Sequence, residues 1–422
     1  MLKLKRLVKR AEAAAVFLSG APQAVLDNLQ ALRSREQRLV VLDEIFPLLL
    51  SPFRIAEFNQ YLEQWPQAVV HSVGQRSILD RTRGFSAVLE EYERVYPAHA
   101  RRVRRYNRLR RLAGMSVYTL FLNNAYRFLR IIDRDKTPFA FTLYPAGGFR
   151  LENAESDEML KRVFGSPNFR KVITTQRITR DYLETGGFCD KSQIEFVYGG
   201  VYPADHLIEN QLPKRRFPTE KNTFDICFVA YKYRPRGVDK GYDVFVDVAE
   251  LLCKRFPDVR LHVVGPYGPD DIDVRGLGDR ITFYGSRRTE FFPSFYADMD
   301  LILSPNVPFT WPGVFDGFPT GACMEAGMSG VAVFCTDELK LNIVFKDGED
   351  IVIVPRAAGQ IAEIIAAFHE DPERLARLGQ AGQLAFRRAF DLRTQMTPRL
   401  RVLSELSGLP LERSAPQAYS TG

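Results

Sequence analysis

No stretch of this 422-residue chain approaches the roughly 20 consecutive apolar residues that a membrane-spanning helix requires. Cysteine is sparse. The five cysteines, Cys189, Cys227, Cys253, Cys323 and Cys335, lie scattered without CxxC spacing, which argues against a zinc site or a disulfide framework. A reducing cytoplasm is the simplest setting for them. Low-complexity tracts are also missing, so the chain should be globular throughout. Of the DxD pairs, Asp133-Arg-Asp135 is flanked by basic helix and Asp298-Met-Asp300 leads into a buried strand. Neither has a metal-binding context, and no metal or other cofactor is expected.

What is present points to a two-domain α/β protein. The chain is too long for one ordinary core, and 45% of its residues are hydrophobic. Residues 38–46, 67–72, 137–144, 170–175 and 195–198 read as strands, with a helix near 53–63, and a second alternating set runs from residue 224 to about 390. Strands alternating with helices predict parallel doubly wound sheets with ligands at the C-terminal strand ends. The expected organisation is a basic amphipathic helical segment at 1–36 and a first Rossmann-like domain at 37–212. That domain would carry a helical, arginine-rich insertion at 76–130. A polar, proline-containing linker at 213–223, a second Rossmann-like domain at 224–390 and a C-terminal helix and tail at 391–422 would follow. From about Ser407 the tail reads as disordered.

The net charge of +7 favours anionic partners without choosing among them. Most of the excess is local, with seven arginines in residues 101–111. That run reads as a solvated helix face, as a contact for an anionic membrane surface or charged acceptor, or, least well, as a nucleic-acid contact, since it lacks groove-reading motifs and stacking aromatics. Residues 1–18 combine a basic start with apolar residues at helical spacing. They suit a packing or membrane-surface helix better than a signal peptide, because Glu12 borders a short apolar run.

The most informative stretch runs from Phe315 to Phe334: a Gly/Pro turn, a short helix carrying Glu325, a break at Gly330 and a buried strand. A helix start there offers free backbone N–H groups to a phosphate. Asp316 and Glu325 flank that anion site, and carboxylates accept hydrogen bonds from sugar hydroxyls. A nucleotide-sugar has charge in the middle and hydroxyls at both ends.

This segment resembles the donor-binding segment of retaining GT-B glycosyltransferases of family 4. Upstream, Phe224–Ala230 with Asp239-Lys240-Gly241, Val259–Gly265, Arg280–Gly285 and Asp300–Pro305 resemble that family's strands and its Lys-Gly helix start, in order. The resemblance covers about residues 222–400. It implies the GT-B fold, two Rossmann-like domains facing across a cleft, and transfer from a nucleoside-diphosphate sugar with retention and without metal. It also implies a last helix that crosses back to the first domain.

By that resemblance Glu325 should meet the donor ribose, the plain alternative being an exposed helical glutamate. Asp316 should touch the donor sugar, although eight residues separate it from Glu325 where the family has seven, so it also reads as a turn-former. Gly317, Phe318, Pro319 and Thr320 would bring backbone close to the donor. Lys240 would face the diphosphate; Lys232, with Arg234 and Arg236 as rivals, stands where the family has a second cation. Arg287 would line the base pocket. Where many family members have a histidine, this chain has Tyr144, followed by Gly147 and Gly148, whose lack of side chains suits close approach by a ligand. His71 is another candidate, or a structural histidine, and Arg54 and Glu57 sit where ligand loops occur.

The expected activity is glycosyl transfer to an acceptor hydroxyl, with a saccharide or lipid-linked acceptor, in surface polysaccharide or glycolipid synthesis at the inner face of the membrane. Two rivals share the fold: a sugar-nucleotide epimerase, and a catalytically degenerate domain that binds sugar-nucleotide or an anionic surface.

Overall fold

The computed structural model describes residues 38–73, 84–107 and 109–411. The helical reading of 1–36, the membrane-surface reading of 1–18 and the tail beyond 411 lie outside the described residues.

The first sheet is built from β1 (Leu39–Asp43), β2 (Val69–Ser72), β3 (Val103–Arg105), β4 (Ser116–Leu120), β5 (Phe139–Leu143), β6 (Phe169–Thr174) and β7 (Ile194–Phe196). Every pair is parallel, in the order β3-β2-β1-β4-β5-β6-β7. Its helices are α1 (Pro52–Gln64), α2 (Phe85–Val95), α3 (Pro97–Ala100), α4 (Leu122–Asp135), α5 (Ala154–Phe164), α6 (Arg177–Thr185) and α7 (Ala204–Glu209). β1, β4 and β5 are buried at every position, as sheets covered on both faces require.

The second sheet holds β8 (Phe224–Val229), β9 (Val259–Val264), β10 (Ile281–Gly285), β11 (Leu301–Ser304), β12 (Ala332–Cys335) and β13 (Val352–Ile353), all parallel, in the order β10-β9-β8-β11-β12-β13. With it come α8 (Tyr242–Arg255), α9 (Phe292–Asp298), α10 (Gly321–Met328), α11 (Ala358–His369), α12 (Pro372–Phe390) and α13 (Leu392–Ser407). Strand order reverses beside β1 in one sheet and beside β8 in the other. A crevice opens at such a reversal, because consecutive connections leave to opposite sides. Among the described residues no helix is long and apolar enough to cross a membrane.

Three expectations need correction. Residues 76–130 are not a helical insertion: β4 is a central strand pairing β1 with β5, and β3 forms the sheet edge. The basic run 101–111 is not a helix face either. Arg102 donates to the carbonyls of Leu62 and Trp65, Arg111 pairs with Asp135, and Arg104 and Arg105 lie in the edge strand β3. Finally, the chain just past Ser407 is packed. Leu409 is buried, and the Pro410 carbonyl accepts a hydrogen bond from Trp65 Nε1.

The linker is held as well. Lys221 Nζ lies 2.6 Å from both Asp225 and Asp300 at the base of the second sheet, and Lys214 Nζ donates to the Tyr296 carbonyl at 2.7 Å. Helix α13 leaves the second half and packs on α1, β4, β5 and β6. It brings Arg399, fully buried, toward Glu57, also fully buried. Glu57 accepts hydrogen bonds from the hydroxyls of Tyr61, Tyr118 and Tyr144. Burial works against the charge on Arg399, but the fields of Tyr144, Glu57, Tyr61 and Tyr118 outweigh it and hold the guanidinium protonated.

Arg399→Met should therefore cost about 3 kcal/mol in urea unfolding, because it strands a buried carboxylate. Adding Glu57→Gln should recover part of that loss. A double mutant whose cost equals the sum of the singles would show that the two charges do not interact.

Candidate functional site

Loops leaving the C-terminal ends of β8 and β11 meet beside the reversal of strand order in the second sheet. The loop after β8 ends at Gly241, the N-cap of α8, with φ of +67°. A Cβ there would come within 1.9 Å of the Pro305 carbonyl oxygen, so only glycine lets the helix start lie against the loop after β11. That contact positions Lys240. Its Nζ reaches both carboxylate oxygens of Asp316, at 2.7 and 2.6 Å. Burial opposes the ammonium, yet Asp316 and the nearby Tyr233 raise the pKa of Lys240 overall.

Asp316 is held from its other side by Asn306 Nδ2, at 2.6 Å. Ser304 Oγ donates to Asn306 Oδ1 at 2.8 Å, and Thr336 Oγ1 to the Asn306 carbonyl at 2.6 Å. Helix α10 starts next to this network, with Thr320 as N-cap accepting from the Cys323 amide. Its first amides, at Gly321 and Ala322, precede any intrahelical acceptor. Asp316, Gly317, Phe318 and Thr320, with Ser304, Asn306, Thr336 and Asp337, line a shallow cleft.

The first domain touches this loop directly. Gln176 Nε2 donates to the Phe318 carbonyl at 3.1 Å, and a Cβ on Gly317 would lie 3.1 Å from the same amide nitrogen. The Tyr202 ring stands against the start of α10, leaving no room for a side chain at Gly321. A second crossing pairs Arg288, in the loop after β10, with Glu91 of α2.

The structure thus brings Lys240 and Asp316 together and sets Gly317, Phe318 and Thr320 around them. Other candidates fall elsewhere. Pro319 follows a cis bond and has no amide hydrogen, so it donates nothing to a ligand. Lys232 is held by both oxygens of Asp271, at 2.6 and 2.7 Å. Arg287 is exposed and stacks on Phe291 in its own loop. The close approach at Gly147 and Gly148 is made by the protein itself: added Cβ atoms would strike Phe121 and Asn123, each at 2.2 Å. Tyr144 turns its hydroxyl inward to Glu57. His71 is fully buried and held neutral, its pKa pushed down to about 3 by desolvation and then by Arg104. Arg54 is buried against Asp43 at 3.0 Å, between the rings of Phe53 and Phe121.

Glu325 is neither in the cleft lining nor exposed. It is 5% exposed, and its Oε1 has no hydrogen-bond partner. Desolvation lifts its pKa to about 8, so the buried acid is largely neutral at pH 7. Sequence reasoning missed Asn306, Ser304, Thr336, Gln176 and Tyr202. Their one available signal was position, since polar residues directly after buried strands sit at C-terminal sheet edges.

Residues 214–385 match the family described as Glycosyl transferases group 1. The match lies almost entirely within the second domain. Over 150 residues the chain is 27% identical to the alpha-D-kanosaminyltransferase of Streptomyces kanamyceticus, covering 34% of this chain and 37% of that enzyme. The architecture is also that of solved GT-B structures. Anabaena HepE, solved in complex with UDP, superposes with a TM-score of 0.62 at 15% identity, covering 88% of this chain and all of that one. Sucrose-phosphate synthase from Thermosynechococcus elongatus superposes at 0.56 and 16% identity, with the same coverage. The fold is GT-B, and the Lys240–Asp316 pair lies within the residues that match the family model.

The buried acid in this domain makes a pH prediction. The folded pKa of Glu325 lies above its unfolded value, so between about pH 4.5 and 8 the folded state holds the extra proton. Stability from this group is therefore greatest below pH 4.5 and falls as pH rises, by roughly 1.4 kcal/mol per pH unit at most. Glu325→Gln should flatten the fall in urea-unfolding free energy between pH 5.5 and 8. Parallel wild-type and mutant curves would refute a buried, proton-holding Glu325.

Proposed function

We propose that the protein is a glycosyltransferase that moves a sugar from a nucleoside-diphosphate sugar to an acceptor hydroxyl, with retention of anomeric configuration and without a metal ion. The observation that carries this is the Lys240–Asp316 pair at the mouth of a helix start, in a group 1 domain facing a second Rossmann-like sheet. Cation, carboxylate and open helix amides are the three groups that a diphosphate joined to a sugar needs.

In the proposed reaction the bond from the anomeric carbon to the diphosphate breaks. The acceptor oxygen bonds to that carbon on the same face, and its proton passes to a diphosphate oxygen. Lys240 and the amides of Gly321 and Ala322 stabilise the departing charge, an electrostatic contribution that needs no proton transfer from the protein. Asp316 lets go of Lys240 and accepts hydrogen bonds from the donor sugar. The ribose hydroxyls satisfy the orphaned Oε1 of Glu325, which requires Tyr202 and the first domain to swing away and close again over the donor. UDP is the first base to test, since HepE has been solved with UDP and with UDP-glucose. The acceptor is a saccharide or lipid-linked saccharide, as in surface polysaccharide or glycolipid synthesis.

One observation favours a second reading, a silent relative that binds without transferring: Tyr144 turns inward where the family places a histidine. UDP binding with neither transfer nor donor hydrolysis would support it.

A thermal-shift panel of UDP-, GDP-, ADP- and dTDP-sugars should single out one nucleotide. At 100 times its dissociation constant that ligand should stabilise the protein by about 2.7 kcal/mol. The shift should shrink strongly in Lys240→Ala and in Glu325→Ala. Failure of every nucleotide to stabilise the wild type would defeat the proposal. Separately, donor hydrolysis or transfer should proceed at an unchanged rate in excess EDTA; loss of activity restored by Mg²⁺ or Mn²⁺ would overturn the metal-free mechanism.

A further inference from the structure

Among the described residues, the large aromatic side chains left exposed are Tyr233, Phe309 and Trp311, at 56%, 45% and 51%. All three lie on the two loops that flank Lys240 and Asp316. Leaving such rings in water forgoes roughly 25 cal/mol for each Å² of apolar surface that burial would recover, and exposed apolar patches commonly mark contact sites.

The Trp311 turn is built rather than loose. The Phe309 amide donates to the Val314 carbonyl at 2.8 Å, and the Val314 amide to the Trp311 carbonyl at 2.9 Å. Phe309 is held at a φ of +59°, unfavourable for a bulky side chain. From the first domain, the Leu151 amide donates to the Gly313 carbonyl at 2.9 Å. Two guanidiniums address the indole, one from each domain: Arg234 stacks 3.3 Å from the ring centroid and Arg150 lies at 5.5 Å. Arg236 is exposed close by in the chain. The carboxylates set against this charge are Glu155, 3.4 Å from Arg150 and 75% exposed, and Asp239, which lies in the field of Arg234.

We infer that this shelf is the acceptor subsite, and that the acceptor is an acidic saccharide. One sugar ring lies on the indole, and its carboxylate or phosphate meets the flanking arginines. The aromatic face suits the apolar side of a sugar ring. Three guanidiniums, those of Arg150, Arg234 and Arg236, set against two carboxylates favour an acid over a neutral sugar, through charge-assisted hydrogen bonds. The reach also fits. Trp311 is five residues from Asp316, so the shelf lies within about 18 Å of the carboxylate that marks the reacting end. This inference rests on the glycosyltransferase reading.

The test uses the full chain saturated with UDP. The chain has two tryptophans, so Trp65→Phe leaves Trp311 as the sole tryptophan reporter. Trigalacturonate and a phosphorylated disaccharide are the acidic probes, and maltotriose is the neutral one. One acidic probe should change the Trp311 emission saturably, which also tells carboxylate from phosphate. Maltotriose should bind roughly tenfold more weakly, the equivalent of about 1.4 kcal/mol. Arg150→Ala should abolish that preference. Trp311→Ala should keep the full thermal stabilisation by UDP, which separates this subsite from the donor site. If UDP stabilises the protein but neither acidic probe moves the emission, or maltotriose binds equally well, the inference is overturned. If UDP does not stabilise it, the glycosyltransferase reading fails and the acceptor assignment goes with it. Should Trp65→Phe not fold, calorimetric titration of the same probes into wild type and Trp311→Ala replaces the emission readout: weaker binding to Trp311→Ala is expected, and equal binding overturns the subsite.

Discussion

The ion pair between Lys240 and Asp316 is the constraint around which the rest of the molecule is arranged. The two residues are 76 positions apart and on different loops, and they meet because parallel strands deliver both loops to the same sheet edge. Gly241 presses one loop against the other, and Asn306 fixes the carboxylate from behind. The pair neutralises two half-buried charges in each other's company, which a ligand of opposite polarity at each end can replace without leaving either exposed. A site that is stable when empty and complementary when filled needs this kind of exchangeable partner.

The first domain contributes closure more than chemistry. Gln176, Leu151, Glu91 and Tyr202 all reach loops at the C-terminal edge of the second sheet. The firm connection runs elsewhere, through α13 and the buried charge of Arg399 beside Glu57. The α13 side of the molecule is thus tied by packing and buried charge, and the cleft side by hydrogen bonds, the Arg288–Glu91 pair and the packing of Phe149 against Phe315. The linker, pinned by Lys214 and Lys221, belongs mechanically to the second domain.

Much of this was legible in the chain. The strands near 38–46, 139–144, 224–230 and 300–305 announce themselves as apolar runs, and the order of turn, helix and strand across 315–334 is that of the loop, α10 and β12. β4 escaped because Gly114-Met-Ser-Val-Tyr-Thr-Leu120 is short and follows an arginine-rich stretch whose charge suggested a surface helix. The arginines themselves misled, since Arg102 and Arg111 spend their charge on carbonyls and on Asp135. Gly147 and Gly148 pointed correctly to close approach, but a glycine does not record whether a ligand or its own domain does the approaching.

The amino-acid sequence by itself determined the α/β alternation, the two-sheet division and the segment that carries Asp316, because periodicity and turn chemistry act over a few residues. Tertiary structure alone decided which charges are spent and which are available. Lys232 and Lys240 look alike in the chain, yet one is locked to Asp271 and the other to Asp316, which lines the cleft. Glu325, expected at the donor ribose, is buried and largely neutral, with no partner for its Oε1. Those outcomes depend on groups brought in from distant strands and helices, and on the water that packing removes, neither of which local spacing records.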